Sequence, residues 1–330
     1  HDLCRRQRQM CIRDSITGVI FFLFLLISMY VISLLQIFNS SPTDSSETYD
    51  LKKNTSLNEI YEHFYPNKTL FHKSIFISGV YLLNLNSVQA GEYLLDNSIY
   101  RTFQKFNDGN TITHKFVIKD GMNKYQLKKT IDKSYLENDC INFECIAEGK
   151  ISIEGLLLPD TYFYKKNTSV SKILNQAHNN LLDYVDKIWI DKPDSNPIKT
   201  KYEAIILASI IEKESSNVID KNKVGGVFLN RLHIGMKLQS DPTIIYGLLP
   251  DFDGDIKKND ILDKTNIYNT YIIDSLPSTP ISMPTKTSLK AAIVNEPNSY
   301  LFFVSNNQGS HVFSETYDEH LKNVRKYQLQ

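Results

Sequence analysis

The sequence predicts an α+β protein carried on a single N-terminal transmembrane helix, and three observations predict it. Ile16 to Phe38 is free of charge, rich in Phe, Leu and Ile, and long enough at 1.5 Å per residue to cross a bilayer core. Short helical and strand segments mix between Leu57 and Ile131. Longer apolar helices with a few strands occupy the part that begins near Ile151. The expected organisation is a short cytoplasmic leader (1–15), an anchor (16–38), a linker (39–56), a membrane-proximal domain (57–150) and a second domain (151–330).

The leader differs from the rest of the chain in composition and is read for its charge alone. Arg5, Arg6, Arg8 and Arg13 precede the span, and Asn39 to Asp50 holds no Lys or Arg. The positive-inside rule puts the N-terminus in the cytoplasm and everything after the span outside it. The span exceeds a typical signal-peptide core, and no small-x-small cleavage site follows, so an anchor is expected. Ser, Thr and Pro in Asn39 to Glu47 read as a linker.

In the membrane-proximal part, Leu57 to Tyr65 reads as a helix that Thr55 or Ser56 can cap. Ser74 to Ser87 is apolar and fits a helix or strands. A helix from Ser98 to Phe106 precedes the turn signal Asn107-Asp108-Gly109-Asn110. Thr113 to Ile118 reads as a strand and Tyr125 to Ile131 as a helix. In the second domain, Pro159-Asp160 suits a turn. Val170 to Ile188 forms a helix with Ile173, Leu174, Ala177 and Leu181 on one face. Helices are also expected to end at Glu214 and to cover Val224 to Leu232 and Ser288 to Ile293, with a strand at Tyr300 to Val304.

Glu214 is the most informative residue. At about 100° per residue it shares a face with Leu207, Ile210 and Ile211. A carboxylate on an apolar stripe is costly unless paired or kept protonated by a raised pKa. A raised carboxyl pKa is what a general acid working near neutral pH requires. Glu212 lies about 160° round the same helix, and an ion-pair role suits it better.

Further motifs follow in order: Glu154-Gly155 with Pro159-Asp160-Thr161-Tyr162; Val227-Phe228-Leu229-Asn230-Arg231-Leu232; Gly235 to Thr243 with Gln239-Ser240-Asp241-Pro242; Tyr246-Gly247; Tyr268-Asn269-Thr270-Tyr271; Leu276-Pro277; Pro280-Ile281; Tyr300 to Val304; Gly309-Ser310-His311-Val312-Phe313; and Glu319-His320. In order and spacing this set closely resembles the YceG-like (MltG) family of endolytic murein transglycosylases, most strongly from Gly155 to Tyr327. The resemblance implies a LysM-like fold in the membrane-proximal domain and a YceG-like catalytic domain with a lysozyme-like active-site helix. Glu214-Ser215 also looks like the Glu-Ser pair of lysozyme-like transglycosylases.

The implied reaction cuts the MurNAc-GlcNAc bond of peptidoglycan glycan strands and leaves a 1,6-anhydro-MurNAc end, with no cofactor and no metal. Glu214 would serve first as acid and then as base. Gln239, Asp241, Asn269 and Tyr271 supply polar groups of the kind that bind sugar hydroxyls and N-acetyl groups, and are expected to line one elongated cleft with Glu214. Asp241 before Pro242 is also a natural turn residue. Asn230 either joins the groove or caps a helix. Arg231 is expected to hydrogen-bond a buried carboxylate, Glu212 or Asp241. Tyr246 joins the supporting set. His311 is either a supporting residue or a hydrogen-bonded structural histidine. The resemblance implies the bacterial inner membrane as location and peptidoglycan synthases (penicillin-binding proteins) as partners. The enzymatic alternative is a lysozyme-type hydrolase. The alternative from another class is a non-catalytic peptidoglycan-binding scaffold.

Lys plus Arg balances Asp plus Glu at a formal net charge of zero, which offers no electrostatic argument for nucleic acid. No P-loop, dinucleotide fingerprint or Gly-x-Ser-x-Gly elbow is present, and His233 and His311 lack zinc-type spacing. Cys140 and Cys145 fit either a disulfide, which an extracytoplasmic compartment permits, or two free thiols.

Overall fold

The structure is a computed structural model that describes residues 2–42, 48–147, 152–295 and 298–328, without the side chains of 2–15 and 147. It divides into two compact units, the first ending at Thr113 and the second beginning at His114. The boundary expected at 150/151 lies outside the described residues. The division comes earlier because the strand at His114 pairs with one at Asp160–Tyr164, which ties everything between them to the second unit.

The first unit opens with the long helix α1 (Asp2–Asn39), whose Ile16–Asn39 stretch is apolar and long enough to cross a membrane. Strand β1 (Thr48–Leu51), helix α2 (Leu57–Phe64), helix α3 (Leu70–Leu82), strand β2 (Gly91–Leu94) and helix α4 (Ile99–Asp108) follow. β1 and β2 pair antiparallel, with Thr48 opposite Leu94. Ser56 and Glu59 form a reciprocal capping box that starts α2. The apolar stretch from Ser74, open between helix and strand by composition, is helical and begins earlier, at Leu70, behind a Thr69 cap. In α4, Ile99, Phe103 and Phe106 recur at helical spacing, and the helix stops at Gly109 in the left-handed conformation. The core of this unit is aromatic: Tyr61, Phe76, Tyr93, Phe103 and Phe106 are fully buried.

The second unit begins with β3 (His114–Ile118), which pairs antiparallel with β4 (Asp160–Tyr164). Between them lie α5 (Lys124–Asp132), capped by Asn123 and Gln126, and the single turn α6 (Glu144–Ala147). Cys140 and Cys145 are joined in a disulfide. Asp160 and Tyr162 therefore sit in a strand and not in the turn that Pro159-Asp160 suggested. Tyr162 packs in the core, and its hydroxyl donates to the Leu158 carbonyl.

Helix α7 (Val170–Trp189) buries the stripe expected from its sequence. The centre of the unit is α8 (Lys201–Glu214), packed between α9 (Val218–His233) and α12 (Lys286–Ile293). α9 starts six residues before the apolar stripe at Val224 that the sequence marks, because the Asn217 side chain caps the amides of Ile219 and Asp220. Two short helices, α10 (Asp241–Leu248) and α11 (Lys258–Leu262), lie between α9 and α12. The chain then forms an antiparallel pair, β5 (Phe302–Ser305) with β6 (His311–Ser314), and α13 (Tyr317–Tyr327).

Candidate active site

Helix α8 carries the site to its place. Thr200 and Glu203 cap its start, and every residue from Ala204 to Glu212 is buried. Glu214 is the last helical residue, where the unpaired carbonyls of a helix C-terminus disfavour a negative charge. The chain breaks at Ser215, which is extended.

The Glu214 carboxyl meets a hydroxyl from another part of the chain. Ser240 Oγ donates to Glu214 Oε1 at 2.5 Å. Ser240 is the cap residue of α10, yet its side chain makes no capping bond, because its hydroxyl is committed to Glu214. Its position is fixed by its own backbone: the amide donates to Thr270 Oγ1 at 2.9 Å, and the carbonyl accepts from Thr243 Oγ1 at 2.6 Å. Burial pushes the Glu214 carboxyl up to about 7, and the negative charge of Asp241 adds to the rise. The Ser240 hydrogen bond and the positive charge of Arg231 work the other way. A carboxyl poised near 7 can give a proton and take one back at neutral pH.

Asp241 and Tyr271 stand beside it. Asp241 is exposed, and its Oδ1 accepts a 2.7 Å hydrogen bond from the Tyr271 hydroxyl. Burial, the hydrogen bond to Asp241 and the charges of Asp241 and Glu214 raise the Tyr271 phenol well above its ordinary range. Arg231 is buried, but it does not hydrogen-bond a carboxylate as its sequence context suggests. Nε donates to the Leu301 carbonyl at 2.8 Å and an Nη to the Leu238 carbonyl at 2.6 Å, and the guanidinium lies 5.5 Å from the Phe302 ring centre. Anchored on carbonyls, Arg231 presents to Glu214 a charge that no carboxylate neutralises by direct contact.

The four polar residues expected to share one cleft divide. Asp241 and Tyr271 are brought to Glu214. Gln239 is exposed, next to Ser240, on left-handed backbone (φ 50°), with its amide bonded to the Thr270 carbonyl. Asn269 is fully buried and turned away: its Nδ2 donates to the carbonyls of Asp260, Ile261 and Asp263, while its Oδ1 accepts the Tyr271 amide. It holds the loop that presents Tyr271.

Other expected residues serve elsewhere. Asn230 Nδ2 ties α9 to the approach to β5 through the carbonyls of Asn298 and Tyr300. The His311 amide donates to Asp220 Oδ2 at 2.7 Å, and its Nδ1 lies 3.1 Å from the same oxygen, the hydrogen-bonded structural arrangement. Glu212 is buried against Lys221 at 2.7 Å and accepts from Thr285 and Ser288. Burial alone would raise its carboxyl, but the hydrogen bonds from Lys221, Ser288 and Thr285 outweigh it and hold it below the ordinary value.

Two residues have surroundings that sequence reasoning did not anticipate. Ser240 is one, and its position beside the turn pair Asp241-Pro242 signals no chemistry. Glu154 is the other. It is fully buried; burial pushes it up to about 7, against hydrogen bonds from the Lys124 amide and the Tyr246 hydroxyl, the latter at 2.9 Å. Tyr246 therefore supports Glu154. Its phenol is raised far out of range, first by burial and then by the Glu154 charge.

The sequence profile of the YceG-like family matches residues 49–326. The chain is 32% identical over 203 residues to the endolytic murein transglycosylase of Bacillus subtilis (strain 168), which spans 61% of this chain and 54% of that protein. It is 26% identical over 222 residues to the endolytic murein transglycosylase of Streptococcus pneumoniae serotype 2 (strain D39), covering 61% of this chain and 38% of that protein. The matched segment is thus about half the length of these curated relatives, or less. A crystal structure of a yceG-like protein from Listeria monocytogenes superposes with a TM-score of 0.53 at 26% identity, covering 84% of this chain and 98% of that one.

Proposed function

The chain belongs to the YceG-like family, and we propose that it is a membrane-anchored lytic transglycosylase that cuts peptidoglycan glycan strands internally. The observation that carries this reading is Glu214, a carboxyl held near 7 at the end of a buried helix and hydrogen-bonded to Ser240. Protonated Glu214 gives its proton to the glycosidic oxygen as the bond to MurNAc C1 breaks, and positive charge develops on that ring. The resulting carboxylate then takes the proton from the same ring's C6 hydroxyl. The oxygen attacks C1 and closes the 1,6-anhydro ring, so no water is consumed and Glu214 ends protonated, as it began.

Asp241 and Tyr271 are the groups we assign to the sugar, with Gln239 beside them in an elongated groove. Asp241 also favours one second reading. Glycoside hydrolysis uses two carboxylates across the bond, and Asp241 is a second carboxylate close enough to raise Glu214. Digestion of purified sacculi by the full chain, read by product mass, separates the two. Transglycosylation gives anhydro ends, and hydrolysis gives products heavier by one water. Absence of any cleavage would leave a peptidoglycan-binding scaffold.

Helix α1 supports a single-pass anchor, with the N-terminus in the cytoplasm and the catalytic domain outside the bacterial inner membrane. The strand–helix–helix–strand order of β1, α2, α3 and β2 supports a LysM-like membrane-proximal unit. Enzymes that polymerise the same strands are the partners this reading implies.

A further inference from the structure

Within the first unit, α3 runs back along α1. Phe76 stacks on Phe38 with ring centres 5.8 Å apart. Gly79 lies against Phe38 and Leu34 so closely that an added Cβ would fall 2.5 Å from the Phe38 ring. Ser78 Oγ and the Tyr30 hydroxyl are 2.8 Å apart. From Phe76 to Ser78, the partner on α1 moves from Phe38 back to Tyr30. The C-terminal end of α3 therefore points toward the middle of the apolar stretch Ile16–Asn39.

This register has a consequence for depth. About 20 apolar residues cover the hydrocarbon core, so a span that begins at Ile16 ends near Leu35, and Tyr30 lies inside that limit. Ser78, bonded to Tyr30, lies at a similar level. We propose that the tip of α3, centred on Tyr81 and Leu82 one turn beyond Ser78, seats among the outer acyl chains of the bilayer where α1 leaves it. The proposal rests on the reading of α1 as a membrane anchor.

The chemistry of the tip fits lipid. Tyr81 and Leu82 are 58% and 66% exposed. No Asp, Glu, Lys or Arg occurs from Ser74 to Gly91. Leu70, at the other end of α3, is also exposed, but it is flanked by Lys68 and Lys73. A helix end in a low-dielectric layer must satisfy its own carbonyls. Here the Gly79 carbonyl accepts the Leu83 amide (2.9 Å), that of Val80 accepts Leu85 (2.9 Å), and that of Tyr81 accepts Asn84 (3.1 Å), with Asn84 in the left-handed conformation. Tyr30 and Tyr81 are the residue type enriched at membrane–water boundaries. A charge-free helix tip so placed would set the tilt and height of the unit on the membrane, as a lone anchor helix cannot.

The test uses the full chain in phospholipid vesicles that contain lipids brominated at shallow or deep acyl positions. The one native tryptophan, Trp189, sets the baseline. Tryptophan is introduced at one position at a time: Phe24→Trp in the span, Leu82→Trp at the tip and Leu70→Trp at the opposite end. The expected result is added emission from Phe24→Trp quenched best by deep bromines, from Leu82→Trp quenched severalfold and best by shallow ones, and from Leu70→Trp quenched no more than the baseline. Quenching at Phe24→Trp with equal, weak quenching at Leu82→Trp and Leu70→Trp would overturn the proposal and leave the anchor standing. No quenching at Phe24→Trp would remove the anchor, and the proposal with it.

Discussion

Glu212 and Glu214 lie two residues apart on α8 and meet opposite surroundings. Glu212 faces α9 and α12, where Lys221, Thr285 and Ser288 converge on its oxygens and hold it ionised. Glu214 faces the start of α10, where one serine hydroxyl reaches it and burial holds its proton near neutral pH. Both are carboxylates on a largely buried helix. The number of donors each meets holds one carboxyl ionised and leaves the other able to keep its proton near neutral pH. The helix fixes only direction, and the neighbouring elements supply the difference.

The largest expected effect lies on the structural side. Glu212→Gln strands the buried Lys221 ammonium, and breaking a buried pair costs on the order of 3–5 kcal/mol. Chemical denaturation should show that loss, while turnover well below the melting temperature falls far less than at Glu214. A drop in turnover equal to that of Glu214→Gln, with stability intact, would erase the contrast.

Glu214→Gln should lower glycan cleavage by on the order of 100-fold or more, as loss of the acid/base demands. The same variant sharpens the contrast in stability. A carboxyl raised from 4.5 to about 7 on folding favours the folded state fully below about 4.5, and that contribution is lost as pH rises through about 7. The glutamine variant escapes this loss, so its melting temperature should gain on the parent across that window and stay level above it. Glu154 is raised in the same window, but it is present in both proteins and cancels in the difference. An unchanging difference in melting temperature would mean that Glu214 is not held protonated.

Ser240→Ala removes a hydrogen bond that favours the ionised form, so the Glu214 carboxyl should rise further. Cleavage should then lose its activity at a pH higher by up to about one unit, the equivalent of a hydrogen bond worth about 1 kcal/mol. A profile that does not move would show that Ser240 only positions. The smallest effect is expected at Tyr271→Phe. Its hydroxyl bonds the exposed Asp241, so the stability change should stay within about 0.5–1.5 kcal/mol, with the larger loss appearing in glycan binding. Equal binding by both forms would take Tyr271 out of the groove.

Much of the frame was legible by local rules. The membrane-length run, the Leu207–Ile211 stripe, the cap at Ser56 and the apolar face of α7 all follow from neighbours within a turn or two. Elements without a strong period were not. The stretch from Ser74 to Ser87 fits helix or strand by composition, and the sequence marks neither α10 nor α13, one too short and the other too polar to show a clear stripe.

The site divided along the same line. Glu214 was legible because a carboxylate on an apolar stripe is an anomaly visible within one helix. Its partner was not, since Ser240 lies 26 positions away, beside a pair that reads locally as a turn. Asn269 looked like a sugar ligand, but it became a loop anchor because three carbonyls of the Asp260–Asp263 segment surround it. Arg231 looked like a carboxylate partner, but it found carbonyls at Leu238 and Leu301. By itself the sequence determined where the chain can cross a membrane, which helix faces are apolar and which carboxylate lies on one. Only the tertiary structure decided which polar groups meet across 26 to 92 positions, as at Ser240–Glu214 and Tyr246–Glu154. A residue's period sets the side of its helix it occupies, whereas its charge state depends on the donors that packing brings to that side.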